Sequence, residues 1–268
     1  MPEELLIYLY GLLVALLLPS LTWIVSAFKD NVNIVDSLWS LLLLALGGSY
    51  FLLIEFSTPR GVLVITLLAL WALRLSAYLT WRNWGKPEDA RYQAIRLNHS
   101  PGFRYKSLWI VFLLQGLLAW VISAPLLPAV TSSRPLFYVD LIAALVVLFG
   151  ILFESIADAQ LAAFKARADS HGKVMDRGLW HYTRHPNYFG EFCVWWGFFL
   201  FAFAAGAWWS IFSPLLMTVL LLRVSGVTLL EKDIAARRPG YAEYVATTNA
   251  FVPGSVRKSA TATLEHNS

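Results

Sequence analysis

Seven long apolar runs alternate with short polar stretches along this chain, at about residues 5–28, 35–56, 61–81, 107–124, 136–157, 189–204 and 208–230. At 1.5 Å of rise per residue, helices of this length match the ~30 Å of hydrocarbon in a bilayer. The last two runs are short and joined by AGAW, which leaves open a tight hairpin or a single broken helix. Pro19, Pro125, Pro128 and Pro214 mark ends or kinks. The first run follows Met1, Pro2, Glu3 and Glu4 rather than a basic stretch. It has no small-residue cleavage pattern and is longer than a typical signal-peptide core, so it reads as a spanning helix. The pattern predicts an all-α integral membrane protein, a seven-helix bundle forming one domain over residues 1–258. The tail at 259–268 has no periodicity and reads as disordered.

Composition supports a membrane class: 58% of the 268 residues are hydrophobic and 14% charged, against about 25% charged in a soluble domain. The single cysteine, Cys193, excludes an intrachain disulfide and a cysteine-based metal cluster, and the histidines lack ligand spacing. The sequence pI near 9.2 reads as basic loops that fix topology and meet anionic membrane lipid, not as nucleic-acid binding. With seven spans, 17 basic residues fall on one side and two, Arg60 and Arg134, on the other. The positive-inside rule then places the loops at 82–106 and 158–188 and the C-terminus in the cytoplasm; in a bacterium the membrane would be the inner one. No obligate protein partner is evident.

Ionisable groups inside spans are costly and normally face a cavity or a partner. Asp36, Arg74, Glu154, Asp158, Glu191, Arg223 and Glu231 lie in or beside spans, clustered toward one membrane face. Each alone also reads as an interhelical ion pair or a snorkelling group. Glu154, Asp158 and Lys165 share one helical face, and Asn187 and Glu191 stand at i, i+4. His185-Pro186 precedes a helix start, whose free N–H groups suit an anion. Lys165, Lys173, Arg177 and Arg184 supply cations nearby. Acids for ribose hydroxyls beside cations for phosphates suggest a nucleotide cofactor. The chain has no G-x-G-x-x-G and no P-loop, so the bundle and its cytoplasmic loops would have to close over it.

The segments GLWHYTRHPNYFGEFCVWWG (178–197) and LLRVSGVTLLEKDIAARRPGYAEYVATTNAFVP (221–253) closely resemble the steroid 5α-reductase superfamily, nearest its bacterial membrane branch, often labelled a domain of unknown function. The match is strong over 150–253 and weaker over 31–106. The resemblance implies seven helices, NADPH held between helices and cytoplasmic loops, and hydride transfer to an electron-poor C=C. Glu154 and Asp158 match the family's asparagine–aspartate pair, Lys165 and Lys173 its basic residues, Asn187 to Glu191 its N-x-x-G-E, and Arg223 its last-helix arginine. Some members have tyrosine where this chain has Glu231. Arg74, Arg184, Tyr188 and Tyr241 complete the cofactor set. The family's carbonyl-gripping acid is matched by Asp36. Its tyrosine has no clear match; Tyr78 is the nearest phenol and also reads as an interfacial tyrosine.

The expectation is therefore an NADPH-dependent ene-reductase acting on a 3-oxo-Δ4-steroid or sterol-like enone, with Asp36 and Tyr78 polarising the carbonyl. The rival is a lipid or isoprenylcysteine methyltransferase using S-adenosylmethionine, since those enzymes share a similar R-H-P-x-Y-x-G element. A transporter or scaffold would need a polar pathway to both faces, and the far side offers little beyond Glu55, Arg60, Arg134 and Asp140.

Overall fold

The computed structural model describes residues 3–224 and 238–257. Among them the secondary structure is helical, with no strand: α1 Glu3–Lys29, α2 Ile34–Leu52, α3 Pro59–Asn83, α4 Ala90–Asn98, α5 Phe103–Ile122, α6 Leu126–Thr131, α7 Tyr138–Lys165, α8 Pro186–Ala204, α9 Trp208–Arg223 and α10 Tyr241–Thr247. Five of these, α1, α2, α3, α5 and α7, are long and apolar enough to cross a membrane. They coincide with the first five apolar runs. The sixth run forms α8, where Asn187, Tyr188, Glu191, Trp195 and Trp196 dilute the aliphatic character. The seventh begins as α9, a shorter apolar helix; the rest of that run, like the tail at 259–268, lies outside the described residues. The AGAW junction is a turn around Gly206, at φ 94°.

Local signals explain the boundaries. Thr58 caps α3 by accepting from the Gly61 N–H at 3.0 Å, with Pro59 in the first turn. Asp89 caps α4 by accepting from the Arg91 N–H at 2.9 Å. One π-helical stretch, Leu108–Leu113, interrupts α5, and another, Leu220–Val224, closes the described part of α9.

The chain divides into two compact units. The first comprises residues up to Leu141 with Phe198–Ser213; the second comprises Ile142–Gly197 with the residues from Pro214 onward. In the first, Tyr8 and Trp120 stack at 4.6 Å and exchange side-chain-to-carbonyl hydrogen bonds, and the buried Tyr50 hydroxyl meets Ser123 Oγ at 2.8 Å. A buried ion pair, Arg60 with Asp140, ties the start of α3 to the start of α7. In the second unit, α7 and α8 cross at backbone contact. A Cβ on Gly190 would fall 2.7 Å from Glu154 Cβ, and one on Gly150 would fall 2.6 Å from the Gly190 carbonyl. Only glycine permits that approach.

Candidate functional site

The α7–α8 crossing gathers three buried acids of the second unit. Gly190 lies directly against Glu154, so the two helices bring Glu154 and Asp158 of α7 to the same crossing as Asn187 and Glu191 of α8. Glu154, Asp158 and Glu191 are 2%, 4% and 9% exposed. A buried carboxylate persists only where donors or cations face it, and all three have interaction partners. Among the described residues no group of three or more His, Cys, Asp or Glu is arranged to hold a metal ion.

The entrance to α8 is tied to the C-terminal segment. Arg184 is buried, and its Nη1 donates to the carbonyls of Thr248 at 2.6 Å and Val245 at 3.3 Å, while its backbone N–H reaches the Asn249 carbonyl at 2.9 Å. Thr183 Oγ1 donates to the Phe251 carbonyl at 2.8 Å, and the Tyr244 hydroxyl donates to the Trp180 carbonyl. Phe251 packs edge-on against Phe189 and Phe192. His185, also buried, stacks face to face on Tyr188 at 5.6 Å. Tyr241 is buried beside Tyr244. The R-H-P-N-Y element is thus fixed by residues some 60 positions downstream, and Arg184 spends hydrogen-bonding capacity on that clamp.

The other cations lie outside this buried crossing. Lys165 and Lys173 are exposed. Asp169 pairs with Arg167 at 3.0 Å and with Lys173 at 3.5 Å; the Arg167 hydrogen bond, ahead of the opposing cost of desolvation, holds its carboxyl below the usual range. Arg238 Nη1 donates to the Lys173 carbonyl at 2.9 Å. Arg223 is exposed in the π-helical end of α9. Glu231 lies outside the described residues.

Asp36, Arg74 and Tyr78 belong to the first unit. Arg74 and Tyr78 are half-buried on α3, with Tyr78 near Trp81 and Arg82. Asp36, in the first turn of α2, accepts from the Tyr92 hydroxyl at 2.6 Å and from Arg91 Nη2 at 3.3 Å. Tyr92 is buried at 6% exposure; burial first, and then the Asp36 charge and hydrogen bond, push its phenol well above the ordinary range. A second network lies alongside. Glu88 takes Arg96 in a bidentate bond at 2.8 and 2.9 Å, and its Oε1 also accepts from the Val32 N–H at 3.0 Å. Asn33 bonds the Pro87 carbonyl and the Asp89 N–H. Sequence reasoning missed Tyr92 and Arg91 as partners of Asp36. The available signal was the alternating charge of KPEDARYQAIR between two spans.

Over residues 22–248 the chain matches a family described as proteins of unknown function, DUF1295. An uncharacterized protein of Schizosaccharomyces pombe is 26% identical over 279 residues, covering 92% of this chain and 79% of that relative. No solved structure matches. The chain belongs to the DUF1295 family.

Proposed function

We propose that this DUF1295 member is a seven-helix membrane reductase that uses NADPH to reduce the activated C=C of an apolar enone, a 3-oxo-Δ4-steroid or sterol-like lipid. The observation that carries the reading is the burial of Glu154, Asp158 and Glu191 at one helix crossing, beside a segment rich in cations. Buried carboxylates are acceptors for hydroxyl and amide donors, and cations suit phosphates. That combination of acceptors and cations suits the hydroxyls, carboxamide and phosphates of NADPH. In this reading Glu191 and Asn187 take the carboxamide, Glu154 and Asp158 the ribose hydroxyls, and Lys165 and Lys173 the phosphates, which stay partly hydrated. Arg223, Glu231, Tyr188 and Tyr241 flank this set in the sequence. Arg184 acts as the organiser that holds the start of α8. NADPH, when bound, supplies the hydride; the chain orients it and excludes water.

The same reading assigns Asp36 to the substrate carbonyl. In the structure Asp36 accepts rather than donates, from the Tyr92 hydroxyl and from Arg91 Nη2. A carbonyl approaching Asp36 meets the Arg91 and Tyr92 contacts already in place. The excess of basic residues in the loops at 82–106 and 158–188 supports placing them, with the C-terminus, in the cytoplasm.

A second reading, S-adenosylmethionine-dependent methyl transfer to a lipid or isoprenylcysteine, gains from one observation. Arg184 is engaged with backbone carbonyls, and Arg167 and Lys173 face Asp169, so fewer cations remain for a cofactor with several phosphate charges. Calorimetry on the purified protein with NADPH, NADH and S-adenosylmethionine separates the readings. NADPH should bind more tightly than NADH, and NADPH should be consumed when enones are added. Equal binding of the two nucleotides removes the 2′-phosphate contact. Binding of S-adenosylmethionine with none of NADPH overturns the reductase.

A further inference from the structure

One end of the first unit is built from the end of α3, the start of α5 and the polar segment carrying α4. Trp81, Trp84, Tyr105 and Trp109 there are 65%, 79%, 68% and 68% exposed. Large amphipathic rings concentrated at helix ends match the headgroup level of a bilayer, where the ring body is apolar and the N–H or O–H stays wet. Ala77, Thr80 and Trp81 fall at i, i+3 and i+4 on one face of α3 and, with Trp84 just past its end, line an open groove of about 650 Å³.

The charges at this end are asymmetric. Its acids turn toward Arg91 and Arg96: Asp36 and Asp89 pair with Arg91, and Glu88 and Asp30 with Arg96. Lys86, Arg104 and Lys106 are exposed. Lys106 donates one hydrogen bond to the His99 carbonyl at 3.0 Å, which leaves its ammonium two further donors. The outward surface is therefore positive and aromatic together.

We propose that this surface seats anionic phospholipid, with Lys86, Arg104 and Lys106 taking headgroup phosphates and the Trp81–Trp84 groove taking the interfacial part of the lipid. Charge complementarity selects an anionic lipid over a zwitterionic one. The inference rests on the membrane character of the chain and is independent of the reductase reading.

The test is native mass spectrometry of the full chain after exchange into bilayers of phosphatidylcholine with or without phosphatidylglycerol, scoring retained lipid. Wild type should retain phosphatidylglycerol preferentially. Each cation removed should weaken that preference about five-fold, and Lys86→Gln/Arg104→Gln/Lys106→Gln together roughly a hundred-fold. The single Lys86→Gln variant carries the test if the triple variant fails to fold. Arg167→Gln, in the second unit and at a guanidinium already paired with Asp169, should weaken the preference far less than Lys86→Gln. Equal retention of both lipids by wild type, undiminished retention by the folded lysine and arginine variants, or an equal loss in the second-unit control would overturn the proposal.

Discussion

Arg60 heads α3 and is fully buried. Its Nε and Nη2 reach the two oxygens of Asp140 at 2.7 and 3.0 Å, its Nη1 reaches Ser132 Oγ at 3.2 Å and the Arg134 carbonyl at 3.1 Å, and its Nη2 also reaches the Pro135 carbonyl at 3.1 Å. Asp140 in turn accepts from the Phe137 N–H at 3.0 Å. Arg60→Ala leaves Asp140 buried without its cation and strands the two loop carbonyls. Removing one partner of a buried pair costs about 3–5 kcal/mol; two charged hydrogen bonds at about 1.5–3 kcal/mol each lead to the same range. In thermal unfolding of the detergent-solubilised protein at fixed scan rate, that corresponds to a drop of roughly 6–20 °C in the midpoint. Arg60→Lys keeps the charge and loses the planar fork, so it should fall between wild type and alanine. Arg60→Met/Asp140→Asn removes both charges and should be less destabilised than Arg60→Ala alone. An Arg60→Ala midpoint within about 2–4 °C of wild type, or a double variant as unstable as the sum of its singles, would refute the reasoning.

Glu191→Gln should weaken NADPH binding roughly ten- to a hundred-fold, the loss of one charged hydrogen bond of about 1.5–3 kcal/mol; a folded variant with wild-type affinity in calorimetry removes Glu191 from the cofactor site. Gly190→Ala should cost about 1–3 kcal/mol by overpacking, because its Cβ would meet the Glu154 backbone N at 2.7 Å, and a midpoint equal to wild type would show that the α7–α8 crossing yields freely. Burial pushes the Glu88 carboxyl up, but the hydrogen bonds from Arg96 and the Val32 N–H more than offset it, so its pKa lies below 4.5. A depressed carboxylate contributes stability that is present above the unfolded value and lost as pH falls through the folded one. Amide-exchange protection across α4 should therefore drop on acidification below 4.5, and Glu88→Gln should flatten that dependence. Unchanged acid sensitivity in Glu88→Gln would assign the effect to another group.

The membrane class was legible in the sequence because lipid imposes a local rule. A helix in hydrocarbon must satisfy its own backbone and present about 20 apolar residues in succession, and the first five runs do so within single helices. The i, i+4 spacing of Glu154 with Asp158 and of Asn187 with Glu191 was equally local. Their burial at one crossing was not: it depends on Gly150 and Gly190 letting two backbones touch, and nothing in either segment alone shows which helix it meets. Asp36 read as an acid at the opening of the second span, matched to a carbonyl-gripping role. Tyr92, which holds it, lies 56 residues away. Arg60 and Asp140 read as two stray charges on the sparse side of the membrane, yet 80 residues apart in the chain they form a buried bidentate pair. Arg184 read as a cation for phosphate, and the fold lends part of it to the C-terminal segment. Periodicity is a property of neighbours in sequence, whereas the partner of a buried charge depends on where other helices end, and only the packed chain decides that.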